Sequence, residues 1–358
     1  MALILDIKAF LLRKLTNKKY VNFDLKDSKS VLFLRYDRIG DMLITTPVLR
    51  AFKISYPDAK VIVIASDLNK DILNNNPYVD EVIINHKNNL LRDILSLFRL
   101  RMLNIDACIE FDHSVIPHAI IRLRIIKPKV VISVKKDGRY GVSGDELKIY
   151  DYLTDKRKNT HSSRIWLNTL EPFGISENSN QYDLFIHDLQ EEVALNFLNQ
   201  FNAKCKIGIN LEGAVEGKKI LFSELIKISK GIRQINNNIQ IIILTSPRNQ
   251  KNTVKMINQM NLNYISSSYK TQTIQDVAAI IKNLDLIISP DTSIVHIASA
   301  FNIPVVSIHE NNTDSYDLFS PTSVLRKTVF APASKGLNGF DVTKVIDFSN
   351  ELIKEMTE

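Results

Sequence analysis

Ile287-Ile288-Ser289-Pro290-Asp291-Thr292-Ser293-Ile294-Val295-His296-Ile297-Ala298-Ser299-Ala300 decides the reading of this chain. The apolar run from Leu284 to Ile288 has the character of a strand buried on both faces. It stops at Ser289-Pro290, and Asp291-Thr292-Ser293 follow as a helix opening, each able to cap the first turn. A small-residue helix comes next, then a second buried strand, Pro304 to Ile308. A strand, a polar turn and a helix N-terminus place free amides at the carboxyl end of a sheet, which suits an anion. A phosphate-bearing ligand is therefore expected.

The same grammar runs outward in both directions. Val31 to Arg35 reads as a strand, Tyr36 to Asp41 as a polar loop, and a helix runs on to about Ser55, where Tyr56-Pro57-Asp58 ends it. Further strands are expected at 61–65, 82–84, 107–111 and 130–134, with a helix over 90–103. Residues 135–160, polar and dotted with Gly138, Gly141 and Gly144, read as a loop, and 163–170 as a helix. Residues 175–188 read as a passage between domains. Beyond it, strands are expected at 207–210, 239–244 and 264–265, and helices at 222–235, 250–259, 274–283 and 342–356. Alternating strands and helices make a parallel sheet covered on both faces. The fold class is α/β, and 358 residues call for two such domains, with a ligand cleft expected where they face each other. The expected divisions are a leader over 1–28, a first domain over 29–185, a second over 186–340 and a last helix over 341–358.

Composition narrows the setting. The chain is 45% hydrophobic and 24% charged, with no apolar run of membrane-spanning length. Asp6, Lys8 and Arg13 break the apolar pieces at the start, so no signal peptide is read there. Cys108 and Cys205 lie far apart in strand-like contexts and suit buried thiols in a reducing compartment, so a cytoplasmic location is expected. The net charge of +7 is concentrated at the front, where residues 1–30 carry seven basic residues against three acidic ones. Ile4, Ile7, Leu11 and Leu15 recur there at helical spacing. Such a segment can lie on an anionic membrane surface, or it can be a solvated helix packed on the body. No nucleic-acid module is present, and the basic residues are not interleaved with aromatics.

Three places could carry chemistry. Gly40-Asp41 stands at the mouth of a helix after the first strand, where a carboxylate is easily stabilised; a plain N-cap is the simpler reading. The loop Asn210-Leu211-Glu212-Gly213-Ala214-Val215-Glu216-Gly217-Lys218-Lys219 has glycine and lysine after a strand, as phosphate cradles do. It is not a Walker A motif, because the glycine spacing is one short and Lys219 stands where Ser or Thr is needed. Asp291 and His296 are the third place, with a simple N-cap and a satisfied helix-face histidine as the bland alternatives. There is no Gly-x-Gly, no Asp-x-Asp, no zinc spacing and no Gly-x-Ser-x-Gly elbow.

Two motifs together resemble glycosyltransferase family 9, the ADP-heptose:lipopolysaccharide heptosyltransferases. Val31-Leu32-Phe33-Leu34-Arg35-Tyr36-Asp37-Arg38-Ile39-Gly40-Asp41-Met42-Leu43-Ile44-Thr45-Thr46-Pro47-Val48-Leu49-Arg50 is similar to its amino-terminal signature, and Ser289 to Ala298 to its carboxyl-terminal one. Asp106 to Asp112 and His161-Ser162-Ser163-Arg164 fall between them in the expected order. The resemblance implies a GT-B fold: two Rossmann-like domains, the first on the acceptor side and the second binding nucleotide sugar, with a last helix returning to the first. It implies inverting transfer of heptose from ADP-heptose to the lipid-linked inner core of lipopolysaccharide, at the cytoplasmic face of the inner membrane, without metal or cofactor. By position Asp41 is implied as general base, with Gly40, Gly213, Lys218, Asp291, Thr292, Ser293 and His296 on the donor. Arg122, Arg124 and Arg139, with His113, are the candidates for acceptor phosphates. The chain departs from the family at Ser293, where glycine is common, at Leu211-Glu212, and at Arg248-Asn249-Gln250-Lys251, where acidic residues often meet the ribose. Another donor sugar, or a binding protein without catalysis, are the alternatives.

Overall fold

A computed structural model describes residues 2–86, 89–156, 159–177, 179–213, 215 and 217–356, with the side chains of 2–5 excepted. The chain divides into two compact units, 1–183 and 184–358.

The first unit holds a six-stranded parallel sheet. Its strands are β1 (Ser30–Leu34), β2 (Lys60–Ser66), β3 (Glu81–Asn85), β4 (Ala107–Glu110), β5 (Val130–Val134) and β6 (Tyr152–Thr154), in the spatial order β3-β2-β1-β4-β5-β6. Its helices are α1 (Ala2–Thr16), α2 (Ile39–Ser55), α3 (Leu90–Met102), α4 (Pro117–Ile126) and α5 (Ser162–Leu167). Side chains alternate across the sheet. Leu32, Leu34 and Cys108 face one hydrophobic cluster with Leu97 and Leu100 of α3, Ile120 and Leu123 of α4, and Ala9 and Leu12 of α1. Phe33 and Phe111 point the other way, towards Phe52 of α2 and Trp166 of α5. The leader therefore belongs to the first unit: α1 buries Ala9, Leu12 and Thr16 on one side. Lys18 fastens it further, pairing with Asp151 and donating to the Lys129 carbonyl at 2.8 Å. The opposite side leaves Ile7, Phe10, Leu11 and Leu15 exposed, so the leader helix packs on the body by one face; Ile4 has a side chain outside the described residues.

The second unit repeats the plan. Its elements are α6 (Asp188–Leu198), β7 (Cys205–Asn210), α7 (Phe222–Ile235), β8 (Ile239–Leu244), α8 (Gln250–Met260), β9 (Ile265–Ser267), α9 (Ile274–Lys282), β10 (Leu286–Pro290), α10 (Ser293–Ala300), β11 (Val305–His309), α11 (Thr313–Phe319), β12 (Arg326–Phe330) and α12 (Val342–Glu355). All strands are parallel, in the order β12-β11-β10-β7-β8-β9. The last helix, α12, expected to return to the first domain, buries Val345, Leu352 and Ile353 in the second unit's own core. It lies against α7, where Gly231 allows the close approach: a Cβ at that position would stand 2.4 Å from Ile346.

Five elements escape the sequence reading; one, α11, is a short polar helix, Thr-Asp-Ser-Tyr-Asp-Leu-Phe, that buries no residue. The polar loop expected over 135–160 contains β6, a three-residue edge strand paired with β5. Edge strand β12 is Arg-Lys-Thr-Val-Phe, too polar to stand out. Helices α4 and α6 carry charges among their apolar positions, Arg122 and Arg124 in one and Glu191 and Glu192 in the other. Among the described residues no helix is long and apolar enough to cross a membrane.

Gly231→Leu should wedge α12 away from α7 and cost about 1–3 kcal/mol, as overpacking does. Urea unfolding would register this as a lower midpoint, and an unchanged midpoint would remove the close contact as a constraint.

Candidate functional site

In each sheet the strand order reverses once, between β1 and β4 and again between β7 and β10. Open parallel sheets leave a crevice at the carboxyl ends of such strands. Of the residues singled out in the sequence, Gly40 and Asp41 follow β1 at the first point, and Gly213, Lys218 and Asp291 to His296 follow β7 and β10 at the second.

In the first unit, β1 ends at Leu34 and delivers Arg35 to Asp41, while β4 ends at Glu110 and delivers Asp112 and His113. Asp41 is the third residue of α2. The N-cap is Arg38, with an extended backbone and no side-chain cap bond, so Asp41 is not the capping residue. Gly40 is buried and Asp41 half-buried. Burial pushes the Asp41 carboxyl above the ordinary aspartate range, and Asp37 adds to this, while Arg35 and Arg38 pull it back. Arg35 is itself only 3% exposed. Its guanidinium donates to Asp37 at 3.0 Å and stacks 4.1 Å from the Trp166 ring centroid and 5.0 Å from that of Phe111. Nε and Nη2 of Arg35 are buried without hydrogen-bond partners. Burial depresses this group, yet the carboxylates of Asp37, Asp41, Asp112 and Glu110 outweigh it and keep the cation.

Behind Arg35 lies a buried ionic cluster. Glu110 pairs with Lys136 and accepts from Asp112 N at 2.7 Å, Ser133 Oγ at 2.9 Å and Tyr150 Oη at 3.2 Å. Burial opposes its charge, but Lys136 and these donors hold it ionised, below the usual glutamate range. Asp112 takes the opposite state. Burial and the Glu110 charge push it up to about 9, so it keeps its proton at neutral pH. His113 is pushed down to about 4 by burial and by Lys156, Arg35 and Lys136. Its Nε2 accepts from Trp166 Nε1 at 3.1 Å, which assigns a neutral ring carrying its proton on Nδ1.

Of the arginines considered for acceptor phosphates, Arg122 is 8% exposed and committed to Asn85 at 2.6 Å and Asp93 at 2.7 Å, with Tyr36 beneath it. Arg124 donates to the Asn17 carbonyl at 3.2 Å, holding the leader just after α1. Arg139 is exposed beside Tyr140.

In the second unit the reversal lies between Asn210 and the turn after β10. Asn210 Nδ2 donates to Ser289 Oγ at 3.0 Å, Thr292 Oγ1 at 3.2 Å and the Glu212 carbonyl at 2.9 Å, tying the two strand ends together. Thr292 is the N-cap of α10, accepting from Ile294 N at 3.3 Å; Asp291 is therefore not the cap. Asp291 donates its N–H to the Ile308 carbonyl and holds its carboxylate 3.9 Å from His309 Nδ1. Ser293 opens the helix, and His296 lies one turn on, 5% exposed. Gly213 has a local reason to be glycine, since a Cβ there would stand 1.5 Å from the Lys218 carbonyl oxygen. That close fold places Lys218, whose Nζ pairs with Glu310 at 2.7 Å. Ala214 and Glu216 lie outside the described residues. Glu212 reaches the end of β8, accepting from Thr245 Oγ1 and Ser246 N, both at 2.9 Å.

Asn210, Glu310 and His309 carried no role in the sequence reading. Asn210 ends a strand at the reversal, and His309 and Glu310 end and follow the strand next to it, and only the strand order reveals that.

The proton on Asp112 has a consequence for stability. An unfolded aspartate ionises near pH 4, whereas the folded one holds its proton to about pH 9. Across that window the folded state binds more protons, so stability falls as pH rises, with a limiting slope of about 1.4 kcal/mol per pH unit. Asp112→Asn keeps a donor for Glu110 and should lose this dependence. Its urea midpoint should gain on that of the native chain between pH 5 and pH 8; parallel pH profiles would remove the proton from Asp112.

With this geometry in place, comparisons define the relatives. Residues 171–329 match the family model described as "Glycosyltransferase family 9 (heptosyltransferase)". The carboxyl-terminal motif lies inside that match and the amino-terminal motif before it. Comparison with curated proteins finds no match. Among solved structures, a glycosyl transferase family 9 protein from Veillonella parvula is 16% identical, with TM-score 0.76 over 93% of this chain and 99% of that one. The Escherichia coli ADP-heptose lps heptosyltransferase II is 14% identical, with TM-score 0.71 over 92% of this chain and 100% of that one. Escherichia coli heptosyltransferase WaaC with ADP is 16% identical, with TM-score 0.70 over 90% of this chain and 99% of that one. At these identities the structures establish the fold, and the resemblance read from the motifs is borne out. Residues 171–329 carry a glycosyltransferase family 9 domain, within a chain whose two units have the GT-B fold.

Proposed function

We propose that this glycosyltransferase moves a heptose from ADP-heptose to a hydroxyl of a lipid-linked inner-core oligosaccharide of lipopolysaccharide, with inversion. The observation that carries the reading is a carboxylate, Asp41, raised by burial at the reversal point of one sheet, with an amide-rich helix start and a lysine gathered at that of the other. The Asp41 carboxylate takes the acceptor proton as that oxygen bonds to the anomeric carbon, and the bond from that carbon to the diphosphate breaks on the opposite face. A base poised nearer to neutrality than an ordinary aspartate transfers protons more effectively in this role. Nearby Arg35 opposes that rise and favours the carboxylate form.

The leaving diphosphate gathers negative charge. In this reading the amides opening α10, the Thr292 and Ser293 hydroxyls, His296 and Lys218 meet it. Lys218 is exchanged from Glu310 to the phosphates. That partly exposed pair is worth little on its own, so a more highly charged ligand can displace it. The reaction then calls for no metal. Escherichia coli WaaC is described with ADP and with ADP-2-deoxy-2-fluoro heptose, which supports a nucleotide-sugar donor here. Arg139 is the exposed basic candidate for acceptor phosphates. The basic leader, with its outward apolar face, supports a peripheral seat at the cytoplasmic face of the inner membrane. A second reading keeps the reaction but changes the donor. It rests on Arg248-Asn249-Gln250-Lys251, together with the Glu212 carboxylate held at Thr245 and Ser246, where a ribose contact would differ.

Mass spectrometry of a truncated core acceptor incubated with ADP-heptose and a chelator tests this reading. A heptose increment is expected, and Asp41→Asn should slow it by about 10²-fold or more while nucleotide binding persists. The raised Asp41 must be deprotonated to act, so kcat/KM should fall as pH drops through a value above the ordinary aspartate range. Full activity in Asp41→Asn would remove the base, and donor binding without an increment would turn the search to other sugars.

A further inference from the structure

Helix α3 carries two apolar faces where packing needs one. Leu97 and Leu100 face the sheet and are buried. On the opposite side Leu91, Leu95, Phe98 and Met102, spaced along a single stripe, are 76%, 68%, 50% and 79% exposed. Arg92 and Arg99 flank that stripe on one side and Arg101 on the other. Asp93 is turned inward onto Arg122. Arg99 meets Glu81 at 2.6 Å but is itself 67% exposed, and an exposed pair of this kind holds its partner weakly.

This stripe is not isolated. Helices α3, α4 and α1 pack into the same cluster, so they cover the same face of the first sheet. Arg122 of α4 is bound to Asp93 of α3, and Arg124 of α4 to Asn17 just after α1, which places α4 against both neighbours. The outward side of α4 presents Ile121, and that of α1 presents Ile7, Phe10 and Leu11 with Lys8 and Lys14 beside them. Three helices thus turn large apolar side chains to solvent from one face, within a basic rim. Large apolar side chains exposed on neighbouring helices of one face mark an interaction surface. Apolar side chains inside a ring of Lys and Arg match the layered chemistry of an anionic bilayer, with acyl chains below and phosphates at the level of the cations.

We propose that the outer faces of α1, α4 and α3 form one docking surface for an anionic lipid bilayer, with the α3 stripe inserting beside the leader. This deepens the peripheral seat of the proposed function: the leader is one edge of the contact, and α3 is its second anchor. Both anchors lie on a single unit, so the chain docks by a fixed face.

The test uses the full chain and vesicles of phosphatidylethanolamine with phosphatidylglycerol, compared with vesicles of phosphatidylcholine alone. Retention is expected on the anionic vesicles and should weaken in high salt. Leu95→Glu with Phe98→Glu replaces exposed side chains, so the Tm should hold. Retention should drop by about tenfold or more, since each buried apolar group contributes substantially to insertion. Phe10→Glu with Leu11→Glu should cause a similar loss. Transfer to a delipidated, soluble acceptor should persist in both variants, which separates failure of docking from failure of the enzymatic reading. Unchanged vesicle retention in the α3 variant would overturn the proposal. So would a native dimer that this variant converts to monomer, because the stripe would then be covered by a second copy.

Discussion

Parallel strands connected by right-handed crossovers cannot be wound outward in both directions without a point where successive crossovers leave on opposite faces. At that point the carboxyl ends of two neighbouring strands are left uncovered. The chain meets this constraint twice, at β1 and β4 and at β7 and β10. Much else follows from it. Asp41 and Asp112 come to the same locality although 71 positions separate them, because each follows a strand at the reversal. The bonds from Asn210 to Ser289 and Thr292 arise in the same way, across the second reversal.

The first reversal is crowded with acids, and its electrostatics are settled by allotting protons. Glu110, Asp112, Asp37 and Asp41 stand near one deeply buried cation, Arg35, and a second, Lys136. Charging every carboxylate would leave several without compensation in a medium that screens poorly. The observed division spends Lys136 on Glu110, keeps a proton on Asp112, and leaves Arg35 shared between Asp37 and Asp41. The aromatic faces of Trp166 and Phe111 support the guanidinium where hydrogen bonds do not reach it. Arg35 thereby stabilises negative charge at Asp41 without a direct pair that would pin the carboxylate.

Much of this was legible in the sequence. The strands buried on both faces announce themselves by composition, so the inner strands of the two sheets, the turn at Asp291-Thr292 and the helix at Gly40 were read in place, while the edge strands β6 and β12 were not. What escaped was set by tertiary geometry. The cap at α10 is Thr292, because Asp291 is held in the strand register by its bond to the Ile308 carbonyl. Arg122 read as a candidate for acceptor phosphates, but α4 turns it inward onto Asp93 and Asn85. Gly213 read as part of a phosphate cradle, and the structure adds a local reason for glycine: the carbonyl of Lys218 fills the space a side chain would need. For Asp291 and Arg122 the residue type was informative and its partner, distant in sequence, decided its use.

The helices over the first sheet separate what folding requires from what it does not. Covering a sheet takes one apolar stripe per helix, and α3 satisfies this with Leu97 and Leu100. A second stripe of Leu91, Leu95, Phe98 and Met102 adds no internal packing and leaves apolar area in water, at a cost in solubility. Charged residues at those positions would serve the fold as well, and arginines already stand beside them. Neither sheet coverage nor helix propensity therefore accounts for the stripe. A partner that takes up apolar surface while attracting positive charge accounts for both halves of the pattern at once.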